Sequence, residues 1–359
     1  MAVHAILMAG GVGARFWPRS RKKSPKQVLN IVGKKTMIQA TYDRLDGIVD
    51  TGNVKVVTNE DQAGLIREQL PTLENDNLYI EPFGKNTAPC IGLAAIHVAA
   101  QDPDGVMVVL PADHVITKVN EFQAAIRLAV EFVEKNDGLV TLGITPNEPA
   151  TGYGYVQSGT EVYKKNANAV HEVKTFAEKP NLETAKRFLE SGDFFWNSGM
   201  FIWKASTILK ELSDKLPDVY GPLMEINGAI NTAKYQKTLV DMYQRFPNIS
   251  VDFGVMQEAE QVFVIPVDMG WNDVGSWETV YEISPKDKDL NTGSFQELIN
   301  VDSRACYVYS PDKVVALVDV EDLIVVDAGN ALLICKRSAA QDVKTAVEML
   351  KKKGLDNCL

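Results

Sequence analysis

The segment 5–27 constrains this chain more than any other part of its sequence. The apolar run 3–8 is typical of a buried strand. It leads directly into Gly10-Gly11-Val12-Gly13, where missing side chains let backbone N–H groups face a ligand. Eight basic residues then precede the first acidic residue, Asp43, in a chain of net charge −10. This local excess of positive charge, next to a glycine loop, favours a polyphosphate site.

The two commonest phosphate-binding loops do not fit this segment. A P-loop requires a glycine followed five residues later by Gly-Lys-Ser/Thr, which is absent. A dinucleotide fingerprint starting at Gly11 requires glycine at position 16, which is Phe16. The loop alone is equally compatible with a tight turn beside a solvated basic face. The run of basic residues without any acid favours phosphate.

Length and composition limit the classes of protein that this chain can be. A chain of 359 residues, 45% hydrophobic and 23% charged, is typical of a soluble globular protein with one large and one smaller domain. It contains no apolar run near the ~18 residues of a membrane span and no cleavable signal pattern. Four cysteines without metal-binding spacing predict reduced thiols and a cytoplasmic location. A pI of about 5.1 argues against nucleic-acid binding.

Strand and helix patterns alternate through the first part of the chain. Strands are predicted at 54–58, 78–80, 106–110 and 139–142, with helices between them. Thr36 and Asn120 are predicted to cap two of the helices. This alternation predicts an α/β fold, with a mostly parallel mixed sheet of Rossmann-like type flanked by helices. Ligands bind such sheets beyond the carboxyl ends of the strands, where both the glycine loop and Asp113 fall.

The sequence changes character near residue 285. Short β-rich runs recur at intervals of roughly nine residues and are followed by an amphipathic segment, 338–353. We therefore predict a catalytic domain at 1–285 and a small β-helix-like unit with a closing helix at 286–359. Because about 70 residues bury only a marginal core, this unit is expected to pack on the catalytic domain or on a second subunit.

Several separated motifs together resemble one family. The segment GGVGARFWPRSR, the PKQ that follows it, and the later LPADH, FAEKP and WNDVGSW resemble the sugar-nucleotide pyrophosphorylases. The resemblance is greatest to the bacterial mannose-1-phosphate guanylyltransferases. It implies that GTP and α-D-mannose 1-phosphate are converted to GDP-mannose and pyrophosphate. Separately, the marginal core of the unit 286–359 leads us to expect a homodimer with this unit at or near the contact, and composition predicts no nucleic-acid or membrane partner. Some longer members carry an additional isomerase barrel, which this chain is expected to lack.

Four residues are candidates for catalysis. Asp113 and Asp273 can supply the hard carboxylate oxygens that Mg²⁺ prefers, although each can also be a turn or capping residue. The resemblance implies that both are metal ligands. Arg15 and Lys26 are expected to neutralise the triphosphate, the α-phosphate and the leaving pyrophosphate. The reaction needs positioning and charge neutralisation and requires no covalent intermediate.

The resemblance also implies two groups of binding residues. The nucleotide is expected to contact two loops: Ala9, Gly10, Gly11 and Gly13 in the first, and Glu81, Asn86, Thr87 and Ala88 in the second. The sugar phosphate is expected to contact Gly152, Gly154, Glu178, Lys179 and Asn197. From the residues alone, Asn86 and Thr87 can equally be helix caps, and Glu178–Lys179 can be an ordinary surface pair.

Two other functions remain open at this stage. The same chemistry can use another pair of substrates, such as dTTP or UTP with glucose 1-phosphate. A catalytically silent regulator that senses sugar nucleotides is the alternative of a different class. The presence of Lys26 and of both aspartates favours an enzyme over the regulator.

Overall fold

The computed structural model describes residues 1–359, and its first part alternates strands with helices. The strands are β1 (Val3–Met8), β2 (Val54–Asn59), β3 (Leu78–Glu81), β4 (Val106–Pro111), β5 (Val115–Ile116) and β6 (Leu139–Ile144). The helices are α1 (Met37–Asp43), α2 (Glu60–Gln69), α3 (Thr87–Gln101) and α4 (Val119–Lys135). Four strands therefore form where the sequence predicts them, each extended by one or two residues at its carboxyl end.

Of the two predicted helix caps, one is confirmed and the other is wrong. Thr36 precedes α1 and forms a capping box with Gln39. Asn120 lies inside α4, because Lys118 is the residue before the helix and its carbonyl accepts the first helical hydrogen bond. The Lys118 N–H in turn donates to the carbonyl of Met269. This tertiary contact fixes the start of α4 earlier in the chain than the side-chain pattern indicates.

The middle of the chain contributes longer strands than its aromatic motifs indicate. The strands are β7 (Tyr155–Lys165), β8 (Asn168–Ala177), β9 (Phe194–Lys204), β10 (Val262–Pro266) and β11 (Trp271–Asn272). The helices are α5 (Leu182–Ser191), α6 (Ala205–Lys215), α7 (Pro217–Ala229), α8 (Tyr235–Arg245) and α9 (Trp277–Ile283), with a π-helical turn at Asp252–Met256. Strands β7 and β8 pair as an antiparallel hairpin with several register shifts.

A nine-stranded mixed sheet organises the catalytic part of the molecule. Its strand order is β3-β2-β1-β4-β9-β6-β10-β8-β7. Strands β1 to β4 are mutually parallel, whereas β9 lies antiparallel between β4 and β6. The carboxyl ends of β1, β3 and β4 therefore share one edge, which carries the glycine loop, Glu81 and Asp113. The mostly parallel sheet confirms the predicted fold class.

Helix α3 packs closely against its neighbours on one face of this sheet. Its central residues are buried nearly all round. A Cβ atom built on Gly92 would stand 2.4 Å from Cδ1 of Leu223 in α7, so this position needs glycine for the two helices to approach. Neither α3 nor any other helix combines the length and the apolar character needed to cross a bilayer.

The C-terminal unit contains a second, four-stranded sheet and a closing helix. The strands are β12 (Thr292–Val301), β13 (Tyr307–Val318), β14 (Leu323–Asp327) and β15 (Leu332–Lys336), and the helix is α10 (Val343–Lys352). The first three strands pair in parallel through connections of a few residues, and β15 returns antiparallel to β14. Parallel strands joined by such short connections are typical of a β-helix coil. The predicted helix 338–353 is shorter than expected, because Arg337–Asp342 forms a 3-10 turn.

This unit packs on the catalytic domain through a shared hydrophobic cluster. Phe16, Trp17 and the fully buried Trp277 contact Tyr307, Ile324 and other residues of the C-terminal unit. Arg337 adds a two-point ion pair to Glu278, with Nη2–Oε1 at 2.6 Å and Nε–Oε2 at 2.9 Å. The unit therefore packs on the catalytic domain of the same chain, which is one of the two partners that we expected for it.

Candidate active site

Hydrogen bonds from neighbouring side chains to its carbonyl groups hold the glycine loop that follows β1. Side chains around it donate to successive carbonyls: Thr58 Oγ1 to Ala9 at 2.8 Å, Asn59 Nδ2 to Gly10 at 3.2 Å and Gln27 Nε2 to Gly11 at 2.8 Å. None of the backbone N–H groups of residues 10–13 donates a hydrogen bond within the chain. The loop therefore presents four unused donors in an ordered backbone, which suits the oxygens of a phosphate.

Lys26 lies directly beneath this loop. It is buried, and a Cβ atom on Gly13 would stand 2.6 Å from the Lys26 Cβ, while Gly13 itself has a φ of +74°. Only glycine satisfies both conditions without strain. The Lys26 Nζ donates to Oδ2 of Asp113 at 3.0 Å and to the backbone carbonyl of Asp273 at 2.8 Å. One buried cation thus connects the two candidate metal ligands to the loop.

Asp113 follows β4, and its charged form is stabilised by its neighbours. Burial alone would raise its pKa, but the Lys26 ammonium and His114 overcome that effect and hold the pKa below its ordinary value. Burial lowers the pKa of His114, so its ring is neutral at pH 7. Trp271 Nε1 donates to His114 Nδ1 at 3.1 Å, which leaves Nε2 facing Asp113. The lowered pKa means that these neighbours favour the ionised form of Asp113, which is the form expected of a metal ligand.

Asp273 follows β11 and is oriented by a tyrosine that the sequence did not identify. The hydroxyl of Tyr153 donates to Oδ1 of Asp273 at 2.8 Å, and the Tyr153 ring packs on Trp196 and Trp271. Tyr153 stands between Gly152 and Gly154, and this position is the one sequence feature that could have identified it as a site residue. The other carboxylate oxygen of Asp273 accepts no hydrogen bond and is available to a ligand.

Arg15 is exposed and borders an open cleft of about 550 Å³. Asp273, Gly152 and Tyr153 line the same cleft, as does Gln341 of the C-terminal unit. The structure thus brings Arg15, Lys26, Asp113 and Asp273 to one region, and their roles stay predictions.

Part of the basic run serves the C-terminal unit and does not face the cleft. The guanidinium of Arg19 lies 3.9 Å from the ring centroid of Tyr309. Arg21 Nη2 donates to the Ala328 carbonyl at 3.3 Å. The count of positive charges therefore overstates the field that is available to a polyphosphate.

The second nucleotide loop has one residue that faces the glycine loop. Oε2 of the buried Glu81 lies 3.5 Å from the place where a Gly10 Cβ would stand. Burial raises the pKa of Glu81 to about 7, an effect that a hydrogen bond from Tyr243 only partly offsets. A buried acid at this point can exchange a proton near neutral pH.

The other three residues of this loop have structural partners. Asn86 Oδ1 accepts from the Thr87 N–H and so precedes α3 as its cap. Thr87 Oγ1 accepts from the Val251 N–H at 2.9 Å, and the Ala88 N–H donates to the Ile249 carbonyl at 3.2 Å. Thr87 and Ala88 therefore anchor the loop, and the capping interpretation of Asn86 is observed.

The candidate sugar residues converge around Gly154. A Cβ atom on Gly154 would stand 2.5 Å from Oε2 of Glu178 and 3.4 Å from the Cβ of Asn197. Lys179 pairs with Glu178 and is mostly exposed. Gly152 lies apart from this group, on the cleft that contains Asp273.

Asp252 joins this group although no sequence motif selects it. Asn197 Nδ2 donates to Oδ1 of Asp252 at 2.7 Å. The residue belongs to the segment 206–257, which contains no recognisable chemical motif and is mostly helical. Only the tertiary fold places Asp252 beside the sugar residues.

The two aspartates form a donor set that fits Mg²⁺. Oδ1 of Asp113 and Oδ2 of Asp273 accept no hydrogen bonds, and carboxylate oxygens are preferred ligands of this ion. No group of three or more His, Cys, Asp or Glu side chains is arranged to hold a metal alone. An ion held by these two carboxylates would complete its shell with other oxygen ligands, such as phosphate or water.

The mixed sheet, the glycine loop with free amides and the Lys26–Asp113 pair together define a nucleotidyl transferase. The nucleotidyl transferase family model matches residues 4–289, and a model described as a MannoseP isomerase/GMP-like beta-helix domain matches residues 296–350. The second match confirms the predicted β-helix-like character of the C-terminal unit. The boundary near residue 285 stays a prediction.

Individual relatives narrow the family further. A mannose-1-phosphate guanylyltransferase of Klebsiella pneumoniae is 40% identical over 349 residues, which cover 96% of this chain and 73% of the relative. One of Escherichia coli K12 is 40% identical over 357 residues, covering 98% and 74%. A crystal structure described as mannose-1-phosphate geranyltransferase from Thermus thermophilus superposes with a TM-score of 0.87 at 29% identity, covering 98% of this chain and 100% of that one. The chain belongs to the mannose-1-phosphate guanylyltransferase family, as its motifs indicated.

Proposed function

We propose that this protein transfers GMP from GTP to α-D-mannose 1-phosphate. A phosphate oxygen of the sugar phosphate attacks the α-phosphorus, the bond between the α-phosphorus and the bridging oxygen breaks, and pyrophosphate leaves with that electron pair. GDP-mannose is the other product. The observation that carries this proposal is the buried Lys26, which contacts both Asp113 and the Asp273 backbone beneath a loop of unused amides.

The residues of the chain supply positioning and charge. We propose that the amides of the glycine loop hold the triphosphate and that Lys26 neutralises the charge that develops at the α-phosphate. Arg15, which borders the open cleft, is proposed to bind the leaving pyrophosphate through its planar guanidinium. We propose that Asp113 and Asp273 hold Mg²⁺. When bound, the ion would neutralise and orient phosphate oxygens.

The binding loops divide the substrates between two parts of the site. We propose that Glu81 and Asn86 face the nucleotide, while Thr87 and Ala88 keep that loop in place. Glu178, with Gly154 beside it, is proposed to accept hydrogen bonds from sugar hydroxyls. Lys179 can turn from Glu178 toward the sugar phosphate, because it is mostly exposed and its ion pair lies at the surface.

Pyrophosphate release, measured with four nucleoside triphosphates and several sugar 1-phosphates in the presence of Mg²⁺, tests the proposal. We expect turnover with GTP and mannose 1-phosphate to exceed every other combination. If UTP or dTTP with glucose 1-phosphate is turned over faster, the proposed nucleotidyl transfer stands but the proposed substrates are wrong. No release with any pair would favour the silent regulator.

We also propose that the protein is a cytoplasmic homodimer. Four free cysteines agree with a reducing compartment. The outward face of the β12–β13 pair carries apolar side chains, and Val314 and Val318 are 57% and 60% exposed. An apolar strip of this kind on a sheet favours contact with a second copy of the chain.

A further inference from the structure

The Arg15 side chain has no partner of its own within the chain. It is exposed, and its guanidinium makes neither a hydrogen bond nor an ion pair. The residue belongs to the 3-10 turn Ala14–Phe16, which is flanked by Gly13 and Trp17. The backbone of this short turn therefore determines where the guanidinium can reach.

Trp17, at the end of that turn, is hydrogen-bonded to two distant parts of the molecule. Its carbonyl accepts from the indole Nε1 of the fully buried Trp277 at 3.0 Å. Its own indole Nε1 donates to the backbone carbonyl of Cys358 at 2.7 Å. Trp277 begins α9, four residues after Asp273, whereas Cys358 lies in a 3-10 turn of the C-terminal unit. Trp17 thus connects the Arg15 turn to the segment of a proposed metal ligand and to the C-terminal unit.

The turn that contains Cys358 is itself tied to the C-terminal sheet. Asn330 Nδ2, between β14 and β15, donates to the Asn357 carbonyl at 3.0 Å. Arg21 Nη1 donates to the same carbonyl at 3.3 Å. Two adjacent carbonyls therefore accept from the segment 17–21, and the Cys358 carbonyl is an acceptor of defined position for Trp17.

The indole N–H of Trp17 contributes orientation and not burial. Trp17 is buried in the same hydrophobic cluster as Phe16, and a phenyl ring could fill much of that space. A hydrogen bond requires a short distance and a nearly straight angle at the donor, so it selects one orientation of the ring. Because Trp17 directly follows the turn, a fixed ring also fixes the backbone that carries Arg15.

We propose that Trp17 is a positioning residue that places the Arg15 guanidinium for pyrophosphate. This inference rests on the proposed function, in which Arg15 binds the leaving pyrophosphate. The C-terminal unit then contributes to the reaction through the Cys358 carbonyl, in addition to covering the hydrophobic cluster.

The reverse reaction, in which GDP-mannose and pyrophosphate give GTP and mannose 1-phosphate, tests the inference with pyrophosphate as the substrate. Trp17→Phe keeps an aromatic ring in the cluster and removes the N–H. We expect KM for pyrophosphate to rise about fivefold, as for the loss of one hydrogen bond, while KM for GDP-mannose stays within about twofold. These KM values do not depend on how much of a preparation is folded. Trp277→Phe removes the other hydrogen bond and should give the same separation of the two KM values.

Trp203→Phe is the matched control, because the Trp203 indole is fully buried and its N–H has no partner. It should leave KM for pyrophosphate unchanged. In an Arg15→Ala background, Trp17→Phe should raise this KM no further, since Trp17 acts through Arg15.

Three results overturn the inference: an unchanged KM for pyrophosphate in Trp17→Phe, an equal rise for both substrates, or a full further rise in the Arg15→Ala background. If Trp17→Phe does not fold, the same criteria apply to Trp277→Phe. If the original protein forms no GTP from GDP-mannose and pyrophosphate, the proposed function fails, and this inference fails with it.

Discussion

The Lys26 ammonium lies 3.0 Å from the Asp113 carboxylate, although 87 residues separate the two in the sequence. Asp113 follows β4, and Lys26 begins a 3-10 turn beneath the glycine loop that follows β1, so both lie close to the proposed phosphate site. Before substrate binds, this contact stabilises a buried cation. When a triphosphate is present, the same cation can turn toward the charge that develops at the α-phosphorus.

The Lys26→Met substitution should therefore lower kcat much more than it weakens sugar-phosphate binding. The side chain keeps its length and apolar stem but loses the charge, and charge is most valuable where the transition state gains it. We expect a loss of about 10²-fold in kcat, comparable to removal of one preorganised electrostatic group. Steady-state rates of pyrophosphate release measure it. A raised KM for mannose 1-phosphate with unchanged kcat would assign Lys26 to ground-state sugar binding.

Removal of divalent metal should abolish turnover, and Asp113→Asn should mimic that loss at saturating Mg²⁺. The variant keeps the size of the residue but removes the charge that a hard cation prefers, so we expect activity to fall roughly 100-fold or more. Titration of EDTA against added Mg²⁺ checks the first part. Full turnover in excess EDTA contradicts the assignment of both aspartates.

The Tyr153 hydroxyl should strengthen Mg²⁺ binding through its hydrogen bond to Asp273. Loss of its hydrogen bond to the carboxylate in Tyr153→Phe is expected to raise the half-saturating Mg²⁺ concentration about tenfold, because hydrogen bonds to charged groups contribute roughly 1.5–3 kcal/mol. Tyr155→Phe is the control, since its hydroxyl donates to the Ala150 carbonyl at 2.9 Å. Binding of Mn²⁺ followed by electron paramagnetic resonance gives a readout independent of turnover. Equal effects of the two variants would indicate general loosening.

The parts of this site that the sequence predicts are those written in consecutive residues. An apolar strand followed by glycines, or by Pro-Ala-Asp-His, places a backbone turn or a carboxylate at a known edge of a parallel sheet. Asp113 and the glycine loop were therefore accessible to elementary reasoning. The contact between Lys26 and Asp113 was not, because charge and spacing do not determine which cation reaches which acid.

Residues that act through distant tertiary contacts escaped prediction for a physical reason. Tyr153 and Asp252 reach their partners across 120 and 55 residues, and neither stands in a periodic pattern. Arg19 and Arg21 belong to the basic run that favoured a phosphate site, yet they contact the C-terminal unit, whose position the local sequence does not encode. Counting charges cannot separate a cation that faces solvent or ligand from one that is used within the fold.

The stability of the protein should fall with rising pH because of Glu81. Its pKa is raised from 4.5 to about 7 in the fold, so the folded state binds the proton more tightly than the unfolded chain. The resulting stabilisation is complete below about pH 4.5 and is lost as the pH rises to about 7. Relative to Glu81→Gln, the free energy of unfolding should decline by up to about 3 kcal/mol over that interval.

Urea unfolding of the ligand-free protein at several pH values measures this difference. Glu68→Gln, on the exposed side of α2, serves as the control and should follow the original protein. Parallel pH curves for the original protein and Glu81→Gln would show that the buried carboxyl is not the source of the pH dependence.

The outward face of β12 and β13 should hold two copies of the chain together. Val318 lies directly opposite Val301 in the pair, and Val314 and Ile299 extend the same apolar strip. Light scattering should give twice the 39.6 kDa of one chain at micromolar concentration. Val314→Lys with Val318→Lys should yield a monomer, because lysines from both copies would meet in an apolar contact. Leu182→Lys, at an exposed leucine of α5, should leave the dimer intact.

Point substitutions test this contact better than removal of residues 286–359. Truncation would expose Trp277 and Phe16, which the C-terminal unit covers within one chain, and would disturb the turn that carries Arg15. Val314 and Val318 are exposed and do not belong to that cluster, so the lysine substitutions leave it untouched. A monomeric original protein rules out the dimer. A lysine variant that stays dimeric and folded shows that the contact lies elsewhere than on this strip.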